Sequence, residues 1–122
     1  MTVAQATIGL VLDCADPAKL AEFWSEALGY KLIGEAGNYV MLLPSDGGAP
    51  LLLQRVPEPK TVKNRMHLDI HVADIAAEAE RLAALGARHV DDLQREEHGS
   101  HWLLTQDPEG NEFCICDAGG CT

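Results

Sequence analysis

The chain has 122 residues, of which 47% are hydrophobic and 23% charged, a composition typical of one globular domain. Its net charge of −10 argues against nucleic-acid binding through a basic surface. No apolar stretch approaches the roughly 20 residues of a membrane-spanning helix, and the N-terminal residues lack the basic and apolar regions of a signal peptide. We therefore expect a cytoplasmic protein without nucleic-acid or membrane partners, whose four cysteines are free thiols in that reducing compartment.

The first half of the chain predicts a strand, a helix and three further strands. Apolar residues alternate along residues 8–14, which is typical of a strand. Asp16 as a cap and Pro17 at the first helical position predict a helix over Pro17–Leu28, which Gly29 ends. Turn-forming residues then separate strands that are predicted at 30–34, 39–43 and 51–55.

The second half repeats this order. Residues 66–74 match residues 8–16 in their apolar alternation and in their closing Ala-Asp, so we expect a second strand followed by a helix over 75–85. Strands are predicted at 88–91, 102–106 and 112–117. The polar residues 94–101 are expected to form either a mobile lip or a solvated connection.

The repeat predicts a fold of the α+β class. It consists of two tandem βαβββ modules, residues 8–57 and 66–117, which a proline-containing linker at 58–65 joins into a single domain over residues 1–122. We expect any small-molecule site to lie between the two modules.

Several motifs then resemble the vicinal oxygen chelate superfamily, and above all its small glyoxalase-like and bleomycin-resistance-like members. The resemblance covers nearly the whole chain and implies the glyoxalase/bleomycin resistance/dioxygenase fold, in which a cupped mixed sheet holds a small ligand and a homodimer closes the cup. The motifs are Asp16-Pro17-x-x-Leu20-x-x-Phe23-Trp24, Leu28-Gly29-Tyr30, Leu53-Gln54-Arg55-Val56-Pro57, His67-Leu68-Asp69 and Asp107-Pro108-x-Gly110-Asn111.

Strand alternation assigns side chains to the cup. On the first strand of module two, His67, Asp69 and His71 face the cup, and Leu68 and Ile70 face the helix. The same alternation places Asp13 in the cup from module one, and Glu112, Cys114 and Cys116 from the last strand of module two.

The resemblance implies a metal site built from four positions, which this sequence fills incompletely. Gly9 offers no ligand atom, and His67 is a good ligand. The third position is Gln54, or Leu52 if the internal repeat sets the register, and the fourth is Cys114. A site of His67, Cys114 and Gln54 is softer than the usual one and favours zinc. The alternative is that no metal binds, and glyoxalase I itself is disfavoured.

Two functions therefore remain open. The first is an enzyme that binds a small oxygen-rich metabolite and catalyses isomerisation, proton transfer or lyase chemistry, with His67, Asp69 and His71 as catalytic groups. The second is a binding protein that sequesters a cationic drug without consuming it, which the acidic net charge favours. In either function the ligand contacts would come from Gln54, Trp102, Asp13 and Cys116. Structural roles are the alternative for these residues, as hydrogen-bonded pairs or as small buried thiols.

Overall fold

The computed structural model of the chain describes residues 8–90, 94–97 and 99–117. The backbone divides into two compact units, Met1–Glu58 and Pro59–Thr122. The boundary between them falls at residues 58 and 59, within the predicted linker.

Unit 1 contains one helix and a four-stranded mixed sheet. In chain order its elements are β1 (Leu10–Cys14), α1 (Pro17–Leu28), β2 (Lys31–Ala36), β3 (Tyr39–Leu43) and β4 (Leu51–Arg55). The sheet order is β1-β4-β3-β2, with β1 parallel to β4 and the other pairs antiparallel. The helix and the strands β3 and β4 have the predicted bounds, and β2 begins and ends slightly later than predicted.

Local sequence explains where α1 begins, where it ends and which face it buries. The Asp16 side chain accepts a hydrogen bond from the backbone N–H of Lys19, and Gly29 ends the helix in the left-handed conformation at φ 69°. Phe23 and Trp24 are buried, and their rings meet edge to face at 5.1 Å. Trp24 is therefore a core residue of unit 1, as its position on the helical stripe predicts.

Unit 2 repeats the architecture with one additional strand. Its elements are β5 (Leu68–His71), α2 (Ile75–Ala84), β6 (Arg88–His89), β7 (Arg95–Glu97), β8 (Ser100–Gln106) and β9 (Glu112–Cys116). The order β5-β9-β8-β6 matches that of unit 1, and β5 is parallel to β9. The path β5-β9-β8-β6 thus has the same connectivity as the sheet of unit 1, as a repeat would require.

Strand β7 corrects the expectation of a loop over residues 94–101. Arg95, Glu96 and Glu97 pair in antiparallel register with Trp102, His101 and Ser100. Gly99 has φ 81°, which suits the tight turn between the two strands. Three consecutive charged residues hid this strand, because an exposed edge strand does not need an apolar face.

A buried turn leads into the last strand of unit 2. Asp107 is fully buried, and its Oδ1 accepts hydrogen bonds from the backbone N–H groups of Glu109 at 2.9 Å and Asn111 at 3.0 Å. The Asn111 side-chain amide donates to both Asp107 carboxylate oxygens. The Asp-Pro-x-Gly-Asn motif is therefore a structural device that sets the position at which β9 begins.

The cysteines differ in their state. Cys14 and Cys114 are free and buried, whereas Cys116 is disulfide-bonded. The expectation of free thiols throughout is therefore wrong for Cys116, which has no thiol to offer a ligand.

None of the described helices combines the length and the apolarity that a bilayer crossing requires.

Candidate functional site

The sheet of unit 2 has one face that packs on α2 and one that carries polar side chains. Phe113 and Ile115 of β9 are buried and, by strand alternation, lie on the face opposite to Cys114. Register partners share a face of a sheet, so residues two apart on β5, β8 and β9 line up in rows on the opposite side. One row runs Asp69, Cys114, Leu104, and the next runs His71, Cys116, Trp102, Arg95.

Three side chains on this face lie close enough together to hold a metal ion. The ligand atoms of His67, Asp69 and Cys114 all lie within 4.8 Å of one another. His67 Nε2 is 3.3 Å from Asp69 Oδ1, and these side chains are 36% and 30% exposed. Cys114 lies beneath them and is 4% exposed. Among residues 8–90, 94–97 and 99–117, this His67–Asp69–Cys114 cluster is the one group of its kind.

Burial, and to a smaller extent the surrounding charges, set the protonation state of the Cys114 thiol. Burial raises the pKa of the Cys114 thiol, and the nearby Asp69 carboxylate raises it further. The side chains of Lys63 and Arg95 act in the opposite direction, and their effect on this pKa is smaller than that of burial. The thiol is therefore protonated near neutral pH, and a metal ion that binds here has to displace its proton.

Glu112 precedes Cys114 by two residues on β9 and serves a different purpose. Its Oε1 accepts a hydrogen bond from the backbone N–H of Asn64 at 2.9 Å and lies 3.1 Å from Lys60 Nζ. Burial alone would raise the pKa of this carboxyl, which is 8% exposed, but these two partners outweigh burial and hold it below its usual value. Glu112 thus fastens the segment 60–64 to the sheet and is not part of the cluster.

The two candidates in unit 1 are neighbours. Asp13 and Gln54 are register partners on β1 and β4, and Asp13 is exposed. The pair that precedes them on the same face is Val11 and Leu52. In unit 2 the corresponding pair is Asp69 and Cys114, which precedes His71 and Cys116. The equivalent of Cys114 is therefore Leu52, as the internal repeat indicated, and Gln54 corresponds to Cys116. This register weakens the interpretation of Gln54 as a metal ligand.

The remaining sequence candidates in unit 2 share the face of the cluster. His71 is exposed, and Trp102 is half-buried between Cys116 and Arg95 in the second row. The structure therefore brings His67, Asp69 and Cys114 together and leaves His71 and Trp102 one row away. Sequence reasoning missed Lys63 and Arg95, which act on Cys114 from the segment that precedes β5 and from the unexpected strand β7.

A cavity of about 350 Å³ lies at the N-terminal end of α2, beside the edge of the sheet. His101 lines this cavity, and its Nδ1 is 2.7 Å from Asp117 Oδ2. Asp74 also lines it, but the Asp74 side chain is occupied as the helix cap, since it accepts a hydrogen bond from the Ala77 N–H.

Comparison with known proteins identifies the family. The family profile of the glyoxalase-like domain matches residues 9–116. The chain belongs to the glyoxalase-like family of the vicinal oxygen chelate superfamily. The fold predicted from its motifs is therefore confirmed, and no curated protein matches this glyoxalase-like sequence significantly.

Solved structures of similar fold agree with this assignment. A glyoxalase/bleomycin resistance protein/dioxygenase family enzyme from Burkholderia phytofirmans is 15% identical, with 88% of this chain and 94% of that chain covered and a TM-score of 0.74. A glyoxalase-related enzyme from Fulvimarina pelagi is 20% identical, with coverages of 95% and 90% and a TM-score of 0.74. A lactoylglutathione lyase from Agrobacterium tumefaciens is 17% identical, with coverages of 96% and 96% and a TM-score of 0.68. At these identities the likeness shows the fold alone.

The donor set of the cluster fits zinc better than the harder divalent ions. It combines one imidazole nitrogen, one carboxylate oxygen and one thiol sulfur. Three protein ligands of mixed nitrogen, oxygen and sulfur character with a fourth position left for water or substrate are typical of catalytic zinc sites. Magnesium and calcium prefer oxygen ligands alone, so the Cys114 thiol disfavours both of them.

Proposed function

We propose that this glyoxalase-like protein binds a small oxygen-rich metabolite at the His67–Asp69–Cys114 cluster and catalyses a proton transfer on it, as an isomerase or a lyase. The observation that carries the proposal is the convergence of an imidazole, a carboxylate and a buried thiol within 4.8 Å on one sheet face.

In this proposal the cluster holds a zinc ion. Such a centre supplies Lewis-acid polarisation of a carbonyl oxygen, which makes a neighbouring C–H bond more acidic. The ion would be held by the partly exposed side chains of His67 and Asp69 and by the buried thiol of Cys114. Deprotonation of the Cys114 thiol accompanies binding, so we expect one proton to be released.

His71 is the residue that we expect to carry the substrate proton. It lies two positions after Asp69 on the same face of β5, a separation of about 7 Å along a strand. That distance leaves room for a small ligand between the cluster and the imidazole. As a base, His71 would take the proton from the hydroxyl-bearing carbon beside the carbonyl and return it to the carbonyl carbon, while the hydroxyl proton passes to the former carbonyl oxygen.

Deuterium exchange tests the reaction. Zinc-loaded protein is incubated in D₂O with a panel of small α-hydroxy carbonyl compounds, and deuterium incorporation next to the carbonyl is followed by NMR. We expect incorporation by the unmodified protein, loss of incorporation in His71→Gln, and retention in His89→Gln, a matched change on β6 away from the cluster. Absence of both zinc binding and incorporation would overturn the proposal.

The second candidate is sequestration of a cationic drug, which the net charge of −10 favours. It predicts tight, salt-sensitive binding of a cationic compound that is recovered unchanged. Chemical conversion of the bound compound would contradict it.

Homodimer formation belongs to the same proposal, whereas the disulfide at Cys116 removes the free-thiol argument for a cytoplasmic location. Exposed apolar side chains on unit 1 support self-association, since Val11 is 52% and Ile33 is 56% exposed. Light scattering at tens of micromolar protein distinguishes a dimer from a monomer of 13.2 kDa.

A further inference from the structure

His67 differs from the other two members of the His67–Asp69–Cys114 cluster in how the fold holds it. Cys114 belongs to β9, and Asp69 is its register partner on β5. The register between these strands begins at Leu68, one residue after His67. The sheet therefore places the carboxylate and the thiol directly, whereas the position of the imidazole also depends on the chain that leads into β5.

The residues that lead into β5 are poorly packed. Arg65 and Met66 are exposed, and Met66 is 80% exposed. The residue before them, Asn64, is half-buried. His67 thus belongs to a short span between Asn64 and the first residue of β5, and a displacement of Asn64 would be passed on to His67.

The Glu112 carboxylate holds Asn64 at the sheet. Its Oε1 accepts a hydrogen bond from the Asn64 backbone N–H at 2.9 Å, and its two oxygens lie 3.1 and 3.2 Å from Lys60 Nζ. The Lys60 ammonium also donates to the Val62 carbonyl at 2.6 Å. Glu112 is buried, so these charge-assisted bonds are stronger than they would be in water. The carboxylate therefore fastens the segment 60–64 at two points.

Glu112 connects this segment to the strand that carries the thiol. It precedes Cys114 by two residues on β9, so the two side chains leave the same face of the strand. Strand β9 thus sets the position of all three members of the cluster. It carries Cys114, it pairs with the strand of Asp69, and through Glu112 it holds the chain that leads to His67.

We propose that Glu112 is a positioning residue for His67, which keeps the imidazole beside Asp69 and Cys114 by fastening the segment 60–64 to β9. The inference rests on the proposed function in taking the cluster as a metal site, whereas the positioning itself is a property of the metal-free protein. A ligand that is held in place before the ion binds loses less conformational entropy. Release of the segment should therefore weaken metal binding although all three ligands are still present.

The first test measures backbone order in metal-free ¹⁵N-labelled protein by NMR relaxation. In Glu112→Gln we expect the order parameters of Met66 and His67 to fall from about 0.85 to below 0.6, roughly the values of rigid and flexible backbone. Those of Asp69 and Cys114 should not change, because the register of β5 and β9 holds both residues.

Glu78→Gln is the matched control, because it also removes a carboxylate that binds a cation in unit 2. Glu78 lies on α2, and its Oε1 is 2.7 Å from Arg81 Nε. This substitution should leave the order of residues 64–67 unchanged. Lys60→Met is a second test of the clamp that keeps the Glu112 carboxylate and its bond to Asn64. We expect it to lower the order of the same residues to a smaller extent.

The second test measures the affinity for cobalt(II). We expect Glu112→Gln to bind cobalt about tenfold or more weakly than the unmodified protein, with the charge-transfer absorption of a cobalt-bound thiolate retained. In a His67→Ala background, Glu112→Gln should cause no further loss, because its effect passes through His67. Glu78→Gln should bind cobalt as the unmodified protein does.

Two outcomes overturn the inference. One is an unchanged order of Met66 and His67 in both Glu112→Gln and Lys60→Met. The other is a loss of cobalt affinity in Glu112→Gln that is equally large with and without His67. A fall in order in Glu112→Gln, combined with no cobalt binding by the unmodified protein, would support the positioning role and reject the metal part of the proposed function.

Discussion

Asp69 and Cys114 are register partners on the parallel strands β5 and β9, so the carboxylate and the thiol project from the same face of the unit 2 sheet. His67 joins them because it precedes Asp69 by two residues and its Nε2 reaches to 3.3 Å from the carboxylate. In unit 1 the corresponding register pair is Val11 and Leu52, which offers no ligand atom. The chemistry of the repeat is therefore concentrated in its second copy.

The pKa of Cys114 should respond in opposite directions to two substitutions in metal-free protein. Asp69→Asn removes a negative charge that disfavours the thiolate, so the pKa of Cys114 is expected to fall. Lys63→Ala removes a positive charge that favours the thiolate, so this pKa is expected to rise. The measurement is the pH titration of the Cys114 Cβ resonance by NMR.

Asp46→Asn is the control for that experiment, because Asp46 lies in an exposed turn of unit 1. It should leave the Cys114 titration unchanged. Shifts of the same sign in Asp69→Asn and Lys63→Ala would contradict the electrostatic account of the thiol.

Glu112→Gln is expected to destabilise the fold by about 1–3 kcal/mol, since a buried carboxylate loses charge-assisted hydrogen bonds from Lys60 and Asn64. The folded-state pKa of Glu112 lies below its usual value. Its contribution is therefore fully present above the unfolded-state pKa of about 4.3, and it is lost as pH falls through the lower folded-state pKa. Urea unfolding as a function of pH measures this.

In the Glu112→Gln variant the acid limb of the stability curve should be shallower than in the unmodified protein. Glu80→Gln is the matched change at an exposed position of α2 in the same unit, and we expect it to alter neither stability nor the acid limb appreciably. If the stability of Glu112→Gln depends on pH in the same way as that of the unmodified protein, Glu112 does not stabilise the fold through its contacts with Lys60 and Asn64.

Asp107→Ala is expected to cost about 2–4 kcal/mol, because it leaves the buried N–H groups of Glu109 and Asn111 without their acceptor. Asp46→Ala removes a comparable turn hydrogen bond, to the Gly48 N–H at 3.3 Å, in an exposed position and should cost well under 1 kcal/mol. Denaturant unfolding compares the two variants. Equal losses would show that the buried network of Asp107 contributes no more than an ordinary surface turn.

Local sequence signals predicted most of the fold. Helix α1 has its predicted bounds because the signals that define it are local. They are the Asp16 cap, the apolar stripe of Leu20, Phe23 and Trp24, and the terminal Gly29. The repeat then predicted a matching order of elements in the second half. Strand β7 was not predicted, because Arg95, Glu96 and Glu97 show no apolar alternation, and a strand that pairs through its backbone does not need one.

The candidate site was predictable where it depends on strand alternation. The two-residue period puts His67, Asp69 and His71 on one face, and a register between β5 and β9 adds Cys114. The roles of Lys63 and Glu112 were not predictable. Glu112 binds the segment 60–64, which is far away in sequence, whereas strand alternation assigned the Glu112 side chain to the cup. The disulfide of Cys116 likewise depends on proximity that spacing does not reveal.

Cobalt(II) titration of the metal-free protein tests the central claim most directly, because a thiolate bound to cobalt gives a sulfur-to-metal charge-transfer absorption. The account predicts saturation at one ion per chain, with this absorption present in the unmodified protein and in Cys14→Ser. It predicts that the absorption is lost in Cys114→Ser and that the affinity falls about 10–100-fold in His67→Ala. A charge-transfer absorption that persists in Cys114→Ser, or no saturable binding by the unmodified protein, would contradict a metal centre at His67, Asp69 and Cys114.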